Sequence, residues 1–268
     1  MGLEHPGAEA RLAAQVARAG GACVRAALGA PRDVTHKGAV DLVTSVDLAS
    51  EAAIRAACAA ATPDIPVLAE EGGGAVGART RWVVDPLDGT TNFVHGYPAF
   101  CVSVALEVDG ALHAGCVYDP LRDEAWVAQR GLGARLGGVP LAVSATPRLD
   151  DALLLTGFAY DRRTRAAWYL AFVQAFLERS QGIRRAGSAA LDLCAVAAGR
   201  ADGYWEFNLQ PWDVAAGALL VAEAGGQVGA PDGGPLSLAQ PHILATNGRV
   251  HAEMREILVG LLSSRGGP

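Results

Sequence analysis

The sequence predicts a mixed α/β (α+β) fold built from layers, and three observations support it. Helical and strand patterns are interspersed along 268 residues without strict βαβ alternation, which argues against a barrel. A hydrophobic fraction of 51% with 19% charged residues supplies a large core and excludes a disordered tail or a disulfide miniprotein. A break near residues 140–147 divides the chain into an N-terminal half, 1–140, and a C-terminal half, 141–268.

Helical periodicity predicts two helices near the start of the chain. The first covers residues 8–28 and the second covers 48–61, where Asp47 is placed as an N-cap and Pro63 ends the helix. The first helix carries apolar residues at helical spacing, namely Leu12, Val16, Ala19, Cys23 and Ala27.

Strand patterns follow in the first half. Alternation predicts a half-buried strand over 41–47, and a short β-branched run predicts another over 81–84. Residues 100–108 and 111–119 flank an Asp109-Gly110 dipeptide, which predicts a β-hairpin.

The second half is mostly helical in pattern. Its apolar residues predict helices and one strand, namely helices over 164–179, 188–198, 214–224 and 250–262 and a strand over 243–245.

Charge and cysteine usage restrict the function classes. The formal net charge is −6 and no basic stretch occurs, so we expect no direct nucleic-acid partner. No apolar run approaches the roughly 18 residues of a membrane span, so we expect no membrane association. Five widely spaced cysteines without a C-x-x-C pair predict buried thiols and a cytoplasmic location.

Asp85 and Asp88 lie three residues apart around Pro86, at the end of a predicted strand. Two such carboxylates would repel each other unless a divalent cation neutralised them, and carboxylate oxygens suit Mg²⁺ or Mn²⁺. The carbonyl of Leu87 would point to the same place. The N–H groups that follow at Gly89 and Thr90 could hold an anion. The alternative is an ordinary Asp-Gly turn that caps backbone donors.

For each of the other acidic residues, both a structural role and a functional role are possible. Glu70 and Glu71 precede three glycines and fit a solvated loop, whereas Asp213 precedes an apolar stretch and fits an N-cap. His95 follows the Asp-Gly turn, but a single histidine is more often a packing or surface residue. No P-loop, complete G-x-G-x-x-G motif, or G-x-S-x-G motif is present.

Taken together, the clusters resemble the inositol monophosphatase family of lithium-sensitive, magnesium-dependent phosphatases. The resemblance rests on motifs in the family's order, namely Lys37…Asp41-Leu-Val-Thr-Ser-Val-Asp47, Glu70-Glu71, Trp82-Val-Val-Asp85-Pro-Leu-Asp88-Gly-Thr-Thr-Asn-Phe-Val-His95, Arg185-Ala-Gly187-Ser188-Ala189, Gly203-Tyr-Trp-Glu206 and Trp212-Asp213. Ala69 replaces a glycine that the family often has before Glu-Glu.

The resemblance implies an αβαβα layered sandwich, a homodimer and a site for two to three Mg²⁺ ions. It implies that Asp47 and Thr90 orient the attacking water, with Glu70 also contributing to catalysis. The implied metal ligands are Glu70, Asp85, the Leu87 carbonyl, Asp88 and Asp213. The implied substrate-binding residues are Gly89, Thr90, Gly187, Ser188, Ala189, Glu206 and Asp213.

The implied reaction is hydrolysis of a small phosphate monoester, with inositol 1-phosphate as the first candidate and histidinol phosphate or another sugar or nucleotide phosphate as alternatives. A role as a regulator bound to transcription or ribosome-assembly machinery is an alternative of another class. Lys37 is the only lysine in the chain. We expect it to lie in a loop over the site and to contact phosphate or water, although arginine-biased codon usage would also explain its rarity.

Overall fold

A computed structural model describes residues 7–29, 34–36, 42–74, 76–239 and 241–268. These residues form five layers in the order helix, sheet, helix, sheet, helix. The mixed α/β layered fold expected from the sequence is therefore confirmed. Lys37 and Asp41 lie outside the described residues, so the prediction for Lys37 stays a prediction.

The first sheet has seven strands, and its order follows the chain from β3 to β9. Only its β3–β4 pair is parallel, with Ala69 opposite Val84. The strands are β3 (Val67–Ala69), β4 (Thr80–Asp88), β5 (Cys101–Val108), β6 (Ala111–Asp119), β7 (Glu124–Gln129), β8 (Gly133–Leu136) and β9 (Val139–Pro140).

The outer face of this sheet is covered by α1 (Ala8–Ala26) and α2 (Ser45–Ala61). Before α2, the short strands β1 (Val34–His36) and β2 (Leu42–Thr44) pair antiparallel. A six-residue helix, α3 (Thr90–His95), directly follows Gly89 at the end of β4. The end of β4 thus leads straight into a helix start.

The central helix layer contains α5 (Ala189–Ala197) and α6 (Pro211–Glu223). Their apolar side chains pack against both sheets in one continuous core, which includes Val83 and Cys101 of the first sheet and Tyr204 and Ile243 of the second. The two sheets are therefore joined through shared helices.

The second sheet has the order β11-β10-β12-β14-β13 and mixes parallel and antiparallel pairs. Helices α4 (Arg162–Leu177) and α7 (His251–Arg265) cover its outer face. Its strands are β10 (Leu153–Thr156), β11 (Gly182–Arg184), β12 (Gly203–Glu206), β13 (Gln227–Gly229) and β14 (Ile243–Thr246), and a 3-10 turn at Leu149–Asp151 precedes β10.

Two local predictions near Asp47 were wrong. The predicted strand over 41–47 ends at Thr44, because the side chain of Thr44 accepts a hydrogen bond from Val46 N and begins α2. Thr44 is thus the N-cap, and Asp47 is the third helical residue, whose carboxylate accepts the Thr44 N–H in a capping box. This places Asp47 inside the first helical turn.

No helix within the described part of the chain is long and apolar enough to cross a membrane.

Candidate active site

Most of the acidic residues singled out in the sequence line one cleft, whereas Asp47 and Glu71 do not. Strands β3 and β4 are parallel neighbours with Ala69 opposite Val84, so Glu70 after β3 and Asp85 in β4 lie side by side on adjacent strands. The first turn of α6 contributes Asp213 from the second half of the chain. The cleft is lined by Glu70, Asp85, Leu87, Asp88, Gly89, Thr90, Gly187, Ala189, Glu206 and Asp213, among others.

Each of three aspartates is fixed through one carboxylate oxygen. Asp85 Oδ1 accepts a hydrogen bond from Leu87 N at 2.9 Å, and Asp213 Oδ2 accepts one from Gln210 N at 2.7 Å. Asp88 Oδ2 accepts hydrogen bonds from Ser188 Oγ at 2.6 Å and from Ala190 N at 2.8 Å. Among the described residues, no donor binds the second oxygen of any of these aspartates, so each has an oxygen left for a ligand.

The electrostatics of this cluster favour a bound cation. Burial raises the pKa of the Asp85 carboxyl well above its usual range, and the charges of Glu70, Asp88 and Asp213 raise it further. Burial and the charge of Asp88 likewise raise the pKa of Asp213. A divalent cation would remove this repulsion and keep the carboxylates ionised.

The carboxylates do not form a complete metal cage. Within the described ranges, no group of three or more histidine, cysteine, aspartate or glutamate side chains is arranged to hold an ion by itself. Mg²⁺ sites commonly use one or two carboxylates and complete their coordination with water and substrate phosphate. The available carboxylate oxygens and the Leu87 carbonyl fit such an open site.

Asp47 and Thr90 form a hydrogen-bonded pair beside the cluster. Thr90 Oγ1 lies 2.9 Å from Asp47 Oδ1 and 3.0 Å from the Leu87 carbonyl oxygen, so its single proton has two possible acceptors. The other oxygen of Asp47 accepts hydrogen bonds from the N–H and hydroxyl of Thr44 at 2.8 and 2.5 Å. Burial raises the pKa of Asp47, while these hydrogen bonds act in the opposite direction.

Gly89 provides the turn from β4 into α3. Its backbone is left-handed, with φ of 89°, and a Cβ there would lie 2.8 Å from the Ala99 carbonyl oxygen. Both the conformation and the space require glycine. The expected phosphate contact of the Gly89 and Thr90 N–H groups stays a prediction.

The second half of the chain forms the opposite wall. Glu206 at the end of β12 is buried, and its Oε2 accepts a hydrogen bond from the Tyr204 hydroxyl at 2.6 Å. Burial raises the pKa of Glu206 to about 7, whereas the Tyr204 hydrogen bond and Arg185 act to lower it. Gly157 makes room for this carboxylate, because a Cβ there would lie 1.9 Å from Glu206 Oε2.

Ser188 has a different position from its neighbours. Gly187 and Ala189 line the cleft, whereas Ser188 is buried and caps α5 by accepting a hydrogen bond from Leu191 N. Its hydroxyl donates to Asp88. Ser188 therefore connects the two halves of the chain at the carboxylate cluster.

Some cleft residues were not singled out in the sequence, and others did not reach the cleft. Phe158 and Tyr160 line it and had no role assigned from the sequence. Arg185, which begins the Arg185-Ala-Gly187 motif, and Arg162, which we expected at the substrate mouth or on the solvated surface, also line it. His95 is exposed and is absent from the cleft lining.

Comparisons with known proteins find relatives over nearly the whole chain. The model of the inositol monophosphatase family matches residues 8–263. An inositol-1-monophosphatase from Synechocystis sp. is 46% identical over 251 residues, covering 92% of this chain and 87% of the relative. A protein from Pseudomonas aeruginosa named Nus factor SuhB is 48% identical over 220 residues, covering 80% and 81%.

A solved structure gives the same result for the fold. The inositol monophosphatase from Anabaena (Nostoc) sp. superposes with a TM-score of 0.85 at 43% identity, covering 96% of this chain and 98% of that one.

Proposed function

Since the chain belongs to the inositol monophosphatase family, we propose that it is a Mg²⁺-dependent phosphatase that hydrolyses a small phosphate monoester, most readily inositol 1-phosphate. The observation that carries this proposal is that Thr90, which is hydrogen-bonded to the buried Asp47, lines the same cleft as the carboxylate cluster. The family is generally metal-dependent, which agrees with the fit of the cluster to a cation.

The proposed ligands are carboxylates that line the cleft, together with the Leu87 carbonyl. Glu70, Asp85 and the Leu87 carbonyl would hold one Mg²⁺, and Asp85, Asp88 and Asp213 would hold a second. Glu70 would also reach a weaker third ion, and Mn²⁺ would substitute for Mg²⁺. When bound, such cations lower the pKa of water and neutralise phosphate oxygens.

Asp47 and Thr90 would position the nucleophile. The Thr90 hydroxyl donates to Asp47, which leaves the oxygen of Thr90 to accept a hydrogen bond from the attacking water. As the water oxygen bonds to phosphorus, its proton passes through Thr90 to the Asp47 carboxylate. The bond from phosphorus to the ester oxygen breaks in line, and the departing alkoxide takes a proton from a solvent water. Asp47 returns its proton to solvent, and inorganic phosphate and the alcohol leave.

The remaining residues would bind the substrate. We propose that the Gly89 and Thr90 N–H groups hold the phosphate and that Gly187, Ala189, Glu206 and Asp213 contact the hydroxyl groups of the alcohol. Ser188 would act by fixing Asp88 instead of touching the substrate directly.

A phosphate-release panel with Mg²⁺, with and without Li⁺, tests this proposal. Its substrates are inositol 1-phosphate, histidinol phosphate, fructose 1,6-bisphosphate, 3′-phosphoadenosine 5′-phosphate and NADP. We expect the highest kcat/KM for inositol 1-phosphate, inhibition by Li⁺, and loss of activity in Asp85→Asn and Asp213→Asn. Near-full activity of either variant at saturating Mg²⁺ would refute the ligand assignment, and a preference for histidinol phosphate would correct the substrate.

A second candidate function is regulation of transcription or ribosome assembly. The 48% identity to a protein named Nus factor SuhB is the observation that favours it. Comparing cells that carry wild type or Asp85→Asn distinguishes the two functions. A regulator independent of catalysis would be unaffected by Asp85→Asn, whereas a phosphatase would lose its function.

We also propose a homodimer in the cytoplasm, as most members of the family are homodimers and all five cysteines are free. Light scattering coupled to gel filtration would give twice the 27.5 kDa chain mass for a dimer. Fractionation of cells would test the location.

A further inference from the structure

An ion pair on α2, formed by the buried Glu51 and the half-buried Arg55, contacts the segment that carries Glu70. Glu51 is 5% exposed, and its Oε1 accepts a hydrogen bond from Arg55 Nε at 2.7 Å, one helical turn later. Neither residue lines the cleft. Any effect of this pair on the cleft therefore passes through the residues that the pair contacts.

Glu51 binds the backbone directly after Glu70. Its Oε2 accepts a hydrogen bond from Glu71 N at 2.9 Å, and its Oε1 accepts one from Gly72 N at 3.0 Å. The contact is close, because a Cβ at Gly72 would lie 2.5 Å from Glu51 Oε1. The carboxylate thus fixes two successive peptide groups of a loop that has no regular structure of its own.

Arg55 donates hydrogen bonds to backbone carbonyls before and within the same loop. Its Nη2 donates to the Gly73 carbonyl at 2.9 Å, and its Nη1 donates to the Val67 carbonyl at 3.4 Å. Between these points, Ala69 and Gly73 exchange backbone hydrogen bonds at 3.2 and 3.0 Å. Glu70 is the first residue of this closed loop, so its backbone position depends on the pair.

The same face of α2 reaches the rest of the site. Asp47 contacts Thr90, and the Ser50 hydroxyl donates to the Pro86 carbonyl at 2.8 Å in the turn between Asp85 and Asp88. The residues Asp47, Ser50 and Glu51 follow helical i, i+3, i+4 spacing and are all buried. One helix face thus contacts three segments of the candidate site.

We infer that Glu51 and Arg55 are a positioning pair that fixes Glu70 and thereby determines the affinity of the site for divalent cations. This inference rests on the proposed function, in which Glu70 is a metal ligand. Residues that orient metal ligands typically change metal affinity by about 10- to 100-fold when they are replaced.

The test is Mn²⁺ binding to Glu51→Gln without substrate, measured by electron paramagnetic resonance. A glutamine keeps the size of the side chain but loses the carboxylate that accepts both N–H groups and pairs with Arg55. We expect Mn²⁺ to bind about 10- to 100-fold more weakly, with a raised Mg²⁺ requirement for turnover and a nearly unchanged KM for inositol 1-phosphate at saturating Mg²⁺.

The matched control is Glu107→Gln. Glu107 pairs with Arg81 at 2.6 Å, is similarly buried and lies opposite Arg81 on neighbouring strands β5 and β4. This pair does not line the cleft. We therefore expect Glu107→Gln to bind Mn²⁺ like wild type, although both variants remove the buried carboxylate of an ion pair.

The outcomes separate the inference from the function on which it rests. If wild type binds no Mn²⁺, the proposed metal-dependent function fails. If wild type binds Mn²⁺ and Glu51→Gln binds it within two-fold, or if Glu107→Gln is weakened equally, the positioning role is wrong. Should Glu51→Gln fail to fold, Arg55→Lys gives the same decision, since lysine keeps the charge but cannot contact Glu51, Val67 and Gly73 together.

Discussion

Asp47 is held by three hydrogen bonds, and only the one from Thr90 involves the residue proposed to meet water. The other two come from Thr44. Removing the Thr90 hydroxyl should therefore leave Asp47 in place, because the Thr44 cap still fixes it. The structure thus allows the role of the hydroxyl to be measured separately from the position of the carboxylate.

We expect Thr90→Ala to reduce kcat by about 10²- to 10⁴-fold, the usual contribution of a positioned acid–base group. Mn²⁺ binding should stay close to wild type, because the aspartates of the cluster keep their own hydrogen bonds. Steady-state kinetics and Mn²⁺ titration check both expectations, with Thr90→Ser as the control that retains a hydroxyl. Normal turnover in Thr90→Ala would exclude the threonine from water activation.

Glu206 should make stability depend on pH. Its pKa is raised by burial to about 7 from an ordinary 4.5. Between these two pH values the folded state keeps a proton that the unfolded state has lost, so the free energy of unfolding falls as pH rises from 4.5 to 7. Glu206→Gln removes this effect.

Urea unfolding of metal-free protein at pH 4.5 and 8 checks this expectation. Relative to wild type, the free energy of unfolding of Glu206→Gln should be higher at pH 8 than at pH 4.5. For a pKa shift from 4.5 to about 7, this relative gain is up to about 3 kcal/mol. Tyr204→Phe is a useful second variant, because it removes the donor that favours the ionised carboxylate. If the free energies of unfolding of wild type and Glu206→Gln differ by the same amount at both pH values, the pKa of the Glu206 carboxyl is not raised in the folded protein.

At the scale of elements, α1 shows how packing can depend on small residues. Its buried face is formed by Ala10, Ala13, Val16, Ala17, Gly20, Gly21 and Val24, which differs from the predicted set at every position except Val16. The larger side chains Leu12 and Cys23 are only half-buried. The helix presents its smallest residues to its neighbours because Ile54 of α2 and Tyr118 of β6 approach it there.

Gly21→Ala should therefore destabilise the protein, although alanine favours helices. A Cβ at Gly21 would lie 2.3 Å from two ring carbons of Tyr118, and overpacking of this kind typically costs about 1–3 kcal/mol. Gly260→Ala in α7 is the matched control, because nothing lies within 4 Å of its Cβ and helix propensity alone should add about 1 kcal/mol. Thermal and urea unfolding measure both changes, and a stabilised Gly21→Ala would contradict the close packing.

Helices and strands could be predicted from the sequence where their own residues define them. Long periodic helices and the hairpin at Asp109-Gly110 were found, because each is defined by its own residues; both turn residues have positive φ. The strands β1, β3 and β7 to β13 were missed. Apart from the six-residue β7, these strands have only two to four residues and carry too little periodicity. Strands β10 to β13 form because helices cover both faces of their sheet. The N-cap of α2 was misplaced by three residues, from Thr44 to Asp47, because Thr44 and Asp47 share a capping box.

At the scale of the molecule, the site joins parts that are far apart in sequence. Asp85 and Asp88 could be grouped from the sequence alone, because they lie three residues apart around Pro86, whereas Glu70 was added only by the family resemblance. That Asp213 joins them follows from α6 lying between the two sheets, which no local pattern shows; only the family resemblance predicted it. The link from Ser188 to Asp88 depends on the same layer, since Ser188 begins α5.

The five layers also determine which thiols can react. Cys58 and Cys116 lie between the first helix layer and the first sheet, and Cys101 and Cys194 lie in the central core. Burial raises the pKa of Cys58 to about 11 and that of Cys116 to about 12, and it raises the pKa of the other two well above the usual range. Only Cys23 is partly exposed.

We therefore expect a disulfide reagent at pH 8 to label Cys23 of the native protein and to leave the four buried thiols unmodified, because only the thiolate attacks and it must be accessible. All five thiols should react after denaturation in guanidinium chloride. Cys23→Ser should abolish the native labelling, and counting released chromophore measures each case. Rapid modification of more than one thiol in the native protein would mean that the layers open on the timescale of the reaction, since no other route exposes the central core.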